Sequence, residues 1–220
     1  MDIEAFINIH ILAKILPYFG SYSEWHEDYT LDKLMGFKDK GFYLDIGAND
    51  PINGNNTKRF YDKGWHGINI EPIPELHKNL VEARPRDTNL NIGVGSNPGV
   101  MTFYKVIGQS KLSSLDKEYI EKLKQTHGVK VEEIPVYIFR FEDIYNKYVK
   151  DMFVDFLTVD AESGDLDILK SNDWNKYRPK YILVETDKGY NNEIKEYLIS
   201  LQYKEVYSNS INSIFKDVKI

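Results

Sequence analysis

Short apolar runs rich in β-branched and aromatic residues alternate with helical patterns along most of the chain, and this alternation limits the possible folds more than any other feature. Strand and helix in strict turn imply a parallel sheet, because parallel neighbours need a long crossover and a helix is the usual one. The runs are "FYLDIG" at 42–47, "GINIE" at 67–71, "LNIGV" at 90–94, "VDFLTVDAE" at 154–162 and "KYILVET" at 180–186. Helical patterns follow at about 55–63, 74–83, 165–171 and 191–200. Two closing runs, "YKEVYS" and "INSIFK", read as an antiparallel hairpin. Between the third and fourth runs, "VMTFYKV" and "EEIPVYIFRF" read as extra strands around a polar segment at about 107–131, which contains the helical "SLDKEYIEKLKQTHG". That segment is the expected lid or substrate-specific insertion. The prediction is an α/β domain over 41–220, with seven strands, mostly parallel, a C-terminal antiparallel hairpin and helices on both faces.

Residues 1–40 read as a helical N-terminal segment. Within it "FINIHILAKILPYF" is spaced like an amphipathic helix that packs on the domain or on a second copy of the chain, not like a signal peptide. No apolar run approaches the roughly 20 residues that span a bilayer, so stable membrane insertion is not expected. The 28 Lys and Arg against 34 Asp and Glu leave a net charge of −6, which offers no general attraction for nucleic acid. The chain has no cysteine, which excludes disulfides, thiol nucleophiles and thiolate metal sites and fits a cytoplasmic protein.

The stretch "YLDIGANDPINGNNT", 43–57, carries the functional signal. In a doubly wound sheet, ligands bind at the carboxyl ends of the strands, and the first strand-to-helix turn needs close backbone approach, which Gly47 allows. Asp45 ends the first run. Glu71 ends the second and lies 26 residues beyond Asp45, near the spacing of the acidic residue that takes ribose hydroxyls in nucleotide-binding folds. A dinucleotide fingerprint needs three glycines and room for pyrophosphate, whereas Ala48, Asn49, Asp50 and Pro51 follow Gly47 and Asp50 repels phosphate. S-adenosylmethionine, which lacks phosphate and has a cationic sulfonium, suits the turn better. On the pair Asp45 and Glu71 alone, the reading of a mere tight turn and a strand cap stays open.

Five segments in order extend the signal. "YLDIGAND", "DKGWHGINIEPIP", "NLNIGVGS", "DFLTVDAESGDLDIL" and "RPKYILVET" resemble, one after another, the motifs of FkbM-type methyltransferases, a branch of the class I S-adenosylmethionine-dependent enzymes. The resemblance covers most of 41–186. It departs at Ser163, Gly164 and Asp165, beside the expected active centre. It implies the Rossmann-like class I methyltransferase fold, and it implies a cofactor site made of Asp45, Gly47, Ala48, Asn49, Glu71, Pro72, Asn91, Ser114 and Asp160, with Glu71 on the ribose and Asn91 near the adenine.

The implied reaction is O-methylation of a sugar hydroxyl, in a free or nucleotide-activated sugar for surface polysaccharide, with Lys105, Lys111, Lys122 and Lys124 as a candidate basic patch. Asp160 and Glu185 close the fourth and fifth strands and point to one mouth, where they meet either the acceptor or a divalent cation, magnesium or manganese; Asp187 follows two residues later. His127 is a candidate base near neutral pH, with a solvent-facing histidine as the alternative. A glycosidase pair of Asp160 and Glu162 is a weak reading, since alternate strand residues face opposite ways. Two other functions remain in view, an NAD-dependent sugar oxidoreductase or epimerase and a non-catalytic binding protein on the same fold.

Overall fold

A computed structural model describes residues 20–186, 192–209 and 211–220. The expected helix at 6–19 and Asp187 lie outside them. The strands are β1 Phe42–Ile46, β2 His66–Ile70, β3 Thr88–Leu90, β4 Gly93–Val94, β5 Gly99–Val106, β6 Val131–Phe139, β7 Phe156–Val159, β8 Tyr181–Glu185, β9 Tyr203–Ser208 and β10 Asn212–Asp217. The helices are α1 Glu27–Leu34, α2 Lys58–Asp62, α3 Pro74–Ala83, α4 Lys117–His127, α5 Phe141–Ile144, α6 Asp165–Lys170 and α7 Asn192–Ser200.

Seven strands form one sheet in the order β3-β2-β1-β7-β8-β10-β9. The first five are mutually parallel, and β10 runs antiparallel to both β8 and β9. This is the expected class I methyltransferase arrangement. From β1 the chain winds outward through β2 to β3, then returns to β7 on the other side of β1. The order therefore reverses between β1 and β7, and the carboxyl ends of those strands flank the crevice where ligands bind in such sheets.

The central strands are apolar almost throughout because both faces are covered. Phe42, Leu44 and Ile46 of β1 face a core with Leu157, Ile182, Phe141, Ile168 and Leu198, under α5, α6 and α7. Tyr43 faces the opposite way, into a core with Phe156, Phe60, Trp65 and Leu31, under α1 and α2. Asp32 of α1, almost fully buried, accepts from Arg59 Nε at 2.9 Å and Lys63 Nζ at 2.6 Å, and so ties α1 to the domain. Among the described residues, no helix is long and apolar enough to cross a membrane.

The run "LNIGV" does not stay one strand. Its start, Leu90, ends β3 in the main sheet, and Gly93–Val94 pair instead with β6 in a three-stranded sheet of order β4-β6-β5. Asn91 turns the chain between them by donating its amide to the carbonyls of Glu71 and Pro72 at 2.9 and 3.0 Å. Gly93 then passes so close to β6 that a Cβ would sit 2.6 Å from Ile138 Cδ1. The connection between the long antiparallel strands β5 and β6 contains α4, which Asp116 caps by accepting from the amides of Glu118 and Tyr119. Ile120 of α4 packs on Tyr104 and Val106 of β5.

Candidate active site

Gly47 has φ +86°, and a Cβ there would lie 1.9 Å from the carbonyl oxygen of Asp160. Glycine is thus needed both for left-handed backbone and for contact between the β1 turn and the end of β7. The sequence reading assigned it to ligand approach; it lines the cavity, and its closest constraint is the protein's own backbone. The amides of Gly47 and Ala48 both donate to Ile70 O, at 3.0 and 3.1 Å, which folds the turn over the end of β2. Asn49, also left-handed at φ 47°, donates its amide to Glu71 Oε2 at 2.9 Å, and the amide of Ile73 donates to Glu71 Oε1 at 2.8 Å. Glu71 therefore holds the β1 and β2 turns together.

Both carboxylates are buried. Burial pushes the Glu71 carboxyl up to about 7, against the two amides that favour its ionised form. Burial likewise pushes Asp45 up to about 6, against the 2.9 Å hydrogen bond donated by the Thr57 hydroxyl.

Arg84 was not singled out from sequence, yet it is fully buried and braces the same turn. Its Nη2 donates to Pro51 O at 2.6 Å and to Asn55 Oδ1 at 2.8 Å. Asn55 Oδ1 also accepts the amides of Thr57 and Lys58 and so caps the start of α2. Arg84 follows α3 in "EARPRD", where the sequence looks like any exposed helix end. Replacing Arg84 by Met removes the donors to Pro51 O and is expected to cost about 2 kcal/mol, lowering the melting temperature by roughly 4–8 °C in a thermal scan.

A cavity of about 400 Å³ opens over the strand ends. Asp45, Gly47, Ala48, Asn49, Glu71 and Pro72 line it as expected, beside an apolar wall that includes Ile73, Ile92, Val94 and Phe103. Asp160 and Glu185 line it further along the sheet. Three sequence-based candidates do not line it. Asn91 points back to the Glu71 and Pro72 carbonyls, and its neighbours Ile92 to Val94 take its place. Ser114 is a latch, since its hydroxyl donates to Glu162 O at 2.7 Å. His127 stands exposed in the last turn of α4 with its ring 2.7 Å from the Thr126 hydroxyl, which rules it out as a base in this cavity.

Glu162 shares the cavity with Asp160, so the two do not face opposite ways as expected. The period-two argument holds only within a strand, and β7 stops at Val159. Glu162 and Ser163 then adopt φ 45° and 62°, which bring the Glu162 side chain round to the cavity. One carboxylate oxygen from each of Asp160, Glu162 and Glu185 lies within 4.8 Å of the others. Tyr119 of α4 donates its hydroxyl to Glu162 Oε2 at 3.0 Å, so the 107–131 segment helps shape this end of the cavity.

Three of the four lysines of the expected basic patch sit in ion pairs. Lys105 pairs with Glu75 and Glu132, Lys111 with Glu24, and Lys124 with Glu121. Lys111 is the sole basic residue among those lining the cavity, whereas carboxylates line it from Asp45 and Glu71 to Glu185.

A family model described as the methyltransferase FkbM domain matches residues 45–205, more than half of the chain. The chain belongs to the FkbM methyltransferase family. The fold described above is thus that of a methyltransferase family member. Similar solved structures include the methyltransferase FkbM from Methylobacillus flagellatus KT, 12% identical, with 81% of this chain covered and a TM-score of 0.46. This chain covers 44% of that one, so it spans less than half its length. A TehB-like SAM-dependent methyltransferase from Corynebacterium glutamicum ATCC 13032 Kitasato is 9% identical, with 86% of each chain covered and a TM-score of 0.45. No curated protein sequence matches the chain.

Proposed function

We propose that this family member is an O-methyltransferase that uses S-adenosylmethionine to methylate a sugar hydroxyl, acting in the cytoplasm on a component of surface polysaccharide. The observation that carries the cofactor reading is the charge of the cavity: carboxylates line it throughout, against one lysine that already pairs with Glu24. A pyrophosphate cofactor such as NAD meets repulsion there, while a ligand with a sulfonium and an ammonium group meets attraction. Glu71 is the acceptor for ribose hydroxyls, the Ile73, Ile92, Val94 and Phe103 wall suits a flat purine, and Asp45 adds negative charge below the turn. The cofactor supplies an electrophilic methyl group.

The chain's own part is to orient the acceptor oxygen and take its proton. Asp160, Glu162 and Glu185 supply carboxylates where the acceptor enters, and the same three oxygens are spaced to converge on one magnesium or manganese ion. Tyr119 keeps Glu162 in place. Tyr119→Phe is expected to lower kcat about fivefold through loss of a hydrogen bond worth about 1 kcal/mol, with the melting temperature nearly unchanged.

The test is calorimetric titration with S-adenosylmethionine, S-adenosylhomocysteine and NAD, each with and without magnesium. Binding of the first two is the expected result. Binding of NAD alone points to the oxidoreductase reading instead, and no binding at all points to a non-catalytic protein. Tighter binding or turnover only with magnesium supports the ion at the acidic group.

A further inference from the structure

The FkbM domain match begins at residue 45 and ends at 205, yet part of the cavity wall comes from outside it. Glu24, Trp25 and Glu27 line one side, and Ile211 and Asn212 lie next to Glu185. We infer that the 20–28 segment is this protein's acceptor-recognition element, and that the Trp25 indole is the platform on which the pyranose ring of the acceptor stacks. The inference rests on the sugar O-methyltransferase reading above and names the residue that selects the sugar.

The turn that carries the indole is firmly braced. The Trp25 amide donates to Glu27 Oε2 at 3.0 Å, and Glu27 Oε1 accepts the side-chain amides of Asn209 and Asn212 at 3.0 and 2.7 Å. Next to it Asp28 accepts the Ser21 hydroxyl at 2.5 Å and the Tyr22 amide at 2.7 Å, while the Ser23 hydroxyl donates to Asn56 Oδ1 at 2.7 Å. Glu27 and Asp28 are essentially buried, at 1% and 0% exposure, so the turn is braced from inside by two carboxylates. Burying charge is costly unless it is fully hydrogen-bonded, as here. What this bracing presents to solvent is one large apolar side chain: Trp25 is 54% exposed although it lines the cavity, while Trp65 and Trp174 are 0% and 5% exposed.

An indole on a braced turn at a cavity rim offers a flat apolar face to the C–H side of a pyranose ring, and Asn212 and Glu185 lie in the same lining to meet the ring's hydroxyls. Among the described residues of the lining Lys111 is the sole basic one, and it pairs with Glu24, while Glu27, Asp160, Glu162 and Glu185 make this side of the cavity acidic. That acidic lining favours a pyranoside without phosphate over a nucleotide-activated sugar as the acceptor.

The test uses the full chain saturated with S-adenosylhomocysteine, whose binding is measured separately by calorimetry. Because Trp25 is the exposed one of the three tryptophans, acrylamide quenching of indole emission reports on it, and Trp25→Phe identifies its share by removing it. Methyl glucoside, methyl mannoside, methyl rhamnoside, methyl glucosaminide and UDP-glucose are then added in turn. At least one methyl glycoside is expected to cut the accessible quenching by about half, and UDP-glucose to leave it unchanged; the neutral and amino glycosides separate a plain from a basic sugar. No protection by any glycoside in protein that binds S-adenosylhomocysteine overturns the platform, as does protection by UDP-glucose alone. Failure to bind S-adenosylhomocysteine removes the methyltransferase reading instead. With the protecting glycoside as acceptor, Trp25→Ala is expected to raise KM roughly tenfold with kcat within about threefold, and Trp25→Phe to recover most of the loss. A fall in kcat at unchanged KM contradicts a stacking role.

Discussion

Gly47→Ala is expected to lower the melting temperature by roughly 8–16 °C and to abolish cofactor binding at ordinary ligand concentrations. Two costs add at this position. Alanine at φ +86° is strained by about 1–2 kcal/mol. A methyl group 1.9 Å from the Asp160 carbonyl oxygen must also push β1 and β7 apart, and backbone on both sides leaves no flexible side chain to yield, which adds about 2–3 kcal/mol. The total of about 4 kcal/mol gives the stated shift for a chain of this size. Gly64→Ala is the control. Gly64 also has positive φ, at 92°, but nothing lies within 4 Å of its built Cβ, so only the first cost applies. If the two variants melt together, the close contact of the β1 turn with Asp160 is wrong.

Glu71→Ala is expected to weaken S-adenosylhomocysteine binding by about 50–100-fold, or roughly 2.5 kcal/mol. Hydrogen bonds to a charged acceptor are each worth about 1.5–3 kcal/mol, and the variant also releases the Asn49 and Ile73 amides that shape the turn. The pH dependence identifies the carboxylate. Since burial raises Glu71 to about 7, ligand affinity should rise between pH 6 and pH 8 as the acceptor ionises, and Glu71→Gln should flatten that rise.

Folding stability moves in the opposite sense. A carboxyl whose folded value is raised contributes stability that is complete below its ordinary value near 4.5 and is lost as pH climbs through about 7. Asp45 does the same up to about 6. The melting temperature of Glu71→Gln relative to the parent should therefore climb from pH 5 to pH 8, read in parallel scans; a flat difference would show that Glu71 is not raised.

The order of strands and helices was legible because a sheet buried on both faces writes continuous apolar runs, as in "YLDIG" and "YILVE", and the turns between them carry Gly47, Asn55 and Pro74. Most of the cofactor turn was legible for a related reason. Asp45 to Asn49 and Glu71 to Pro72 are local segments at strand ends, and a strand end implies its side of the sheet. The run "LNIGV" misled because apolar character continues across a change of sheet. Ser114 and His127 misled because a residue type near a site says nothing about which way its side chain turns.

The sequence by itself determined the α/β fold, the family and the acidic turn that lines the cavity, all of which depend on patterns a few residues long. Only the tertiary structure decided the rest: the Gly47 contact with Asp160, the Arg84 brace under Pro51, the return of Glu162 to the cavity and the Trp25 turn at its rim. Each depends on a contact or hydrogen bond between segments distant in sequence, such as Tyr119 with Glu162 across 43 residues or Asn212 with Glu27 across 185. Distance and direction between such segments are set by the packing of the whole sheet, and no local periodicity encodes them.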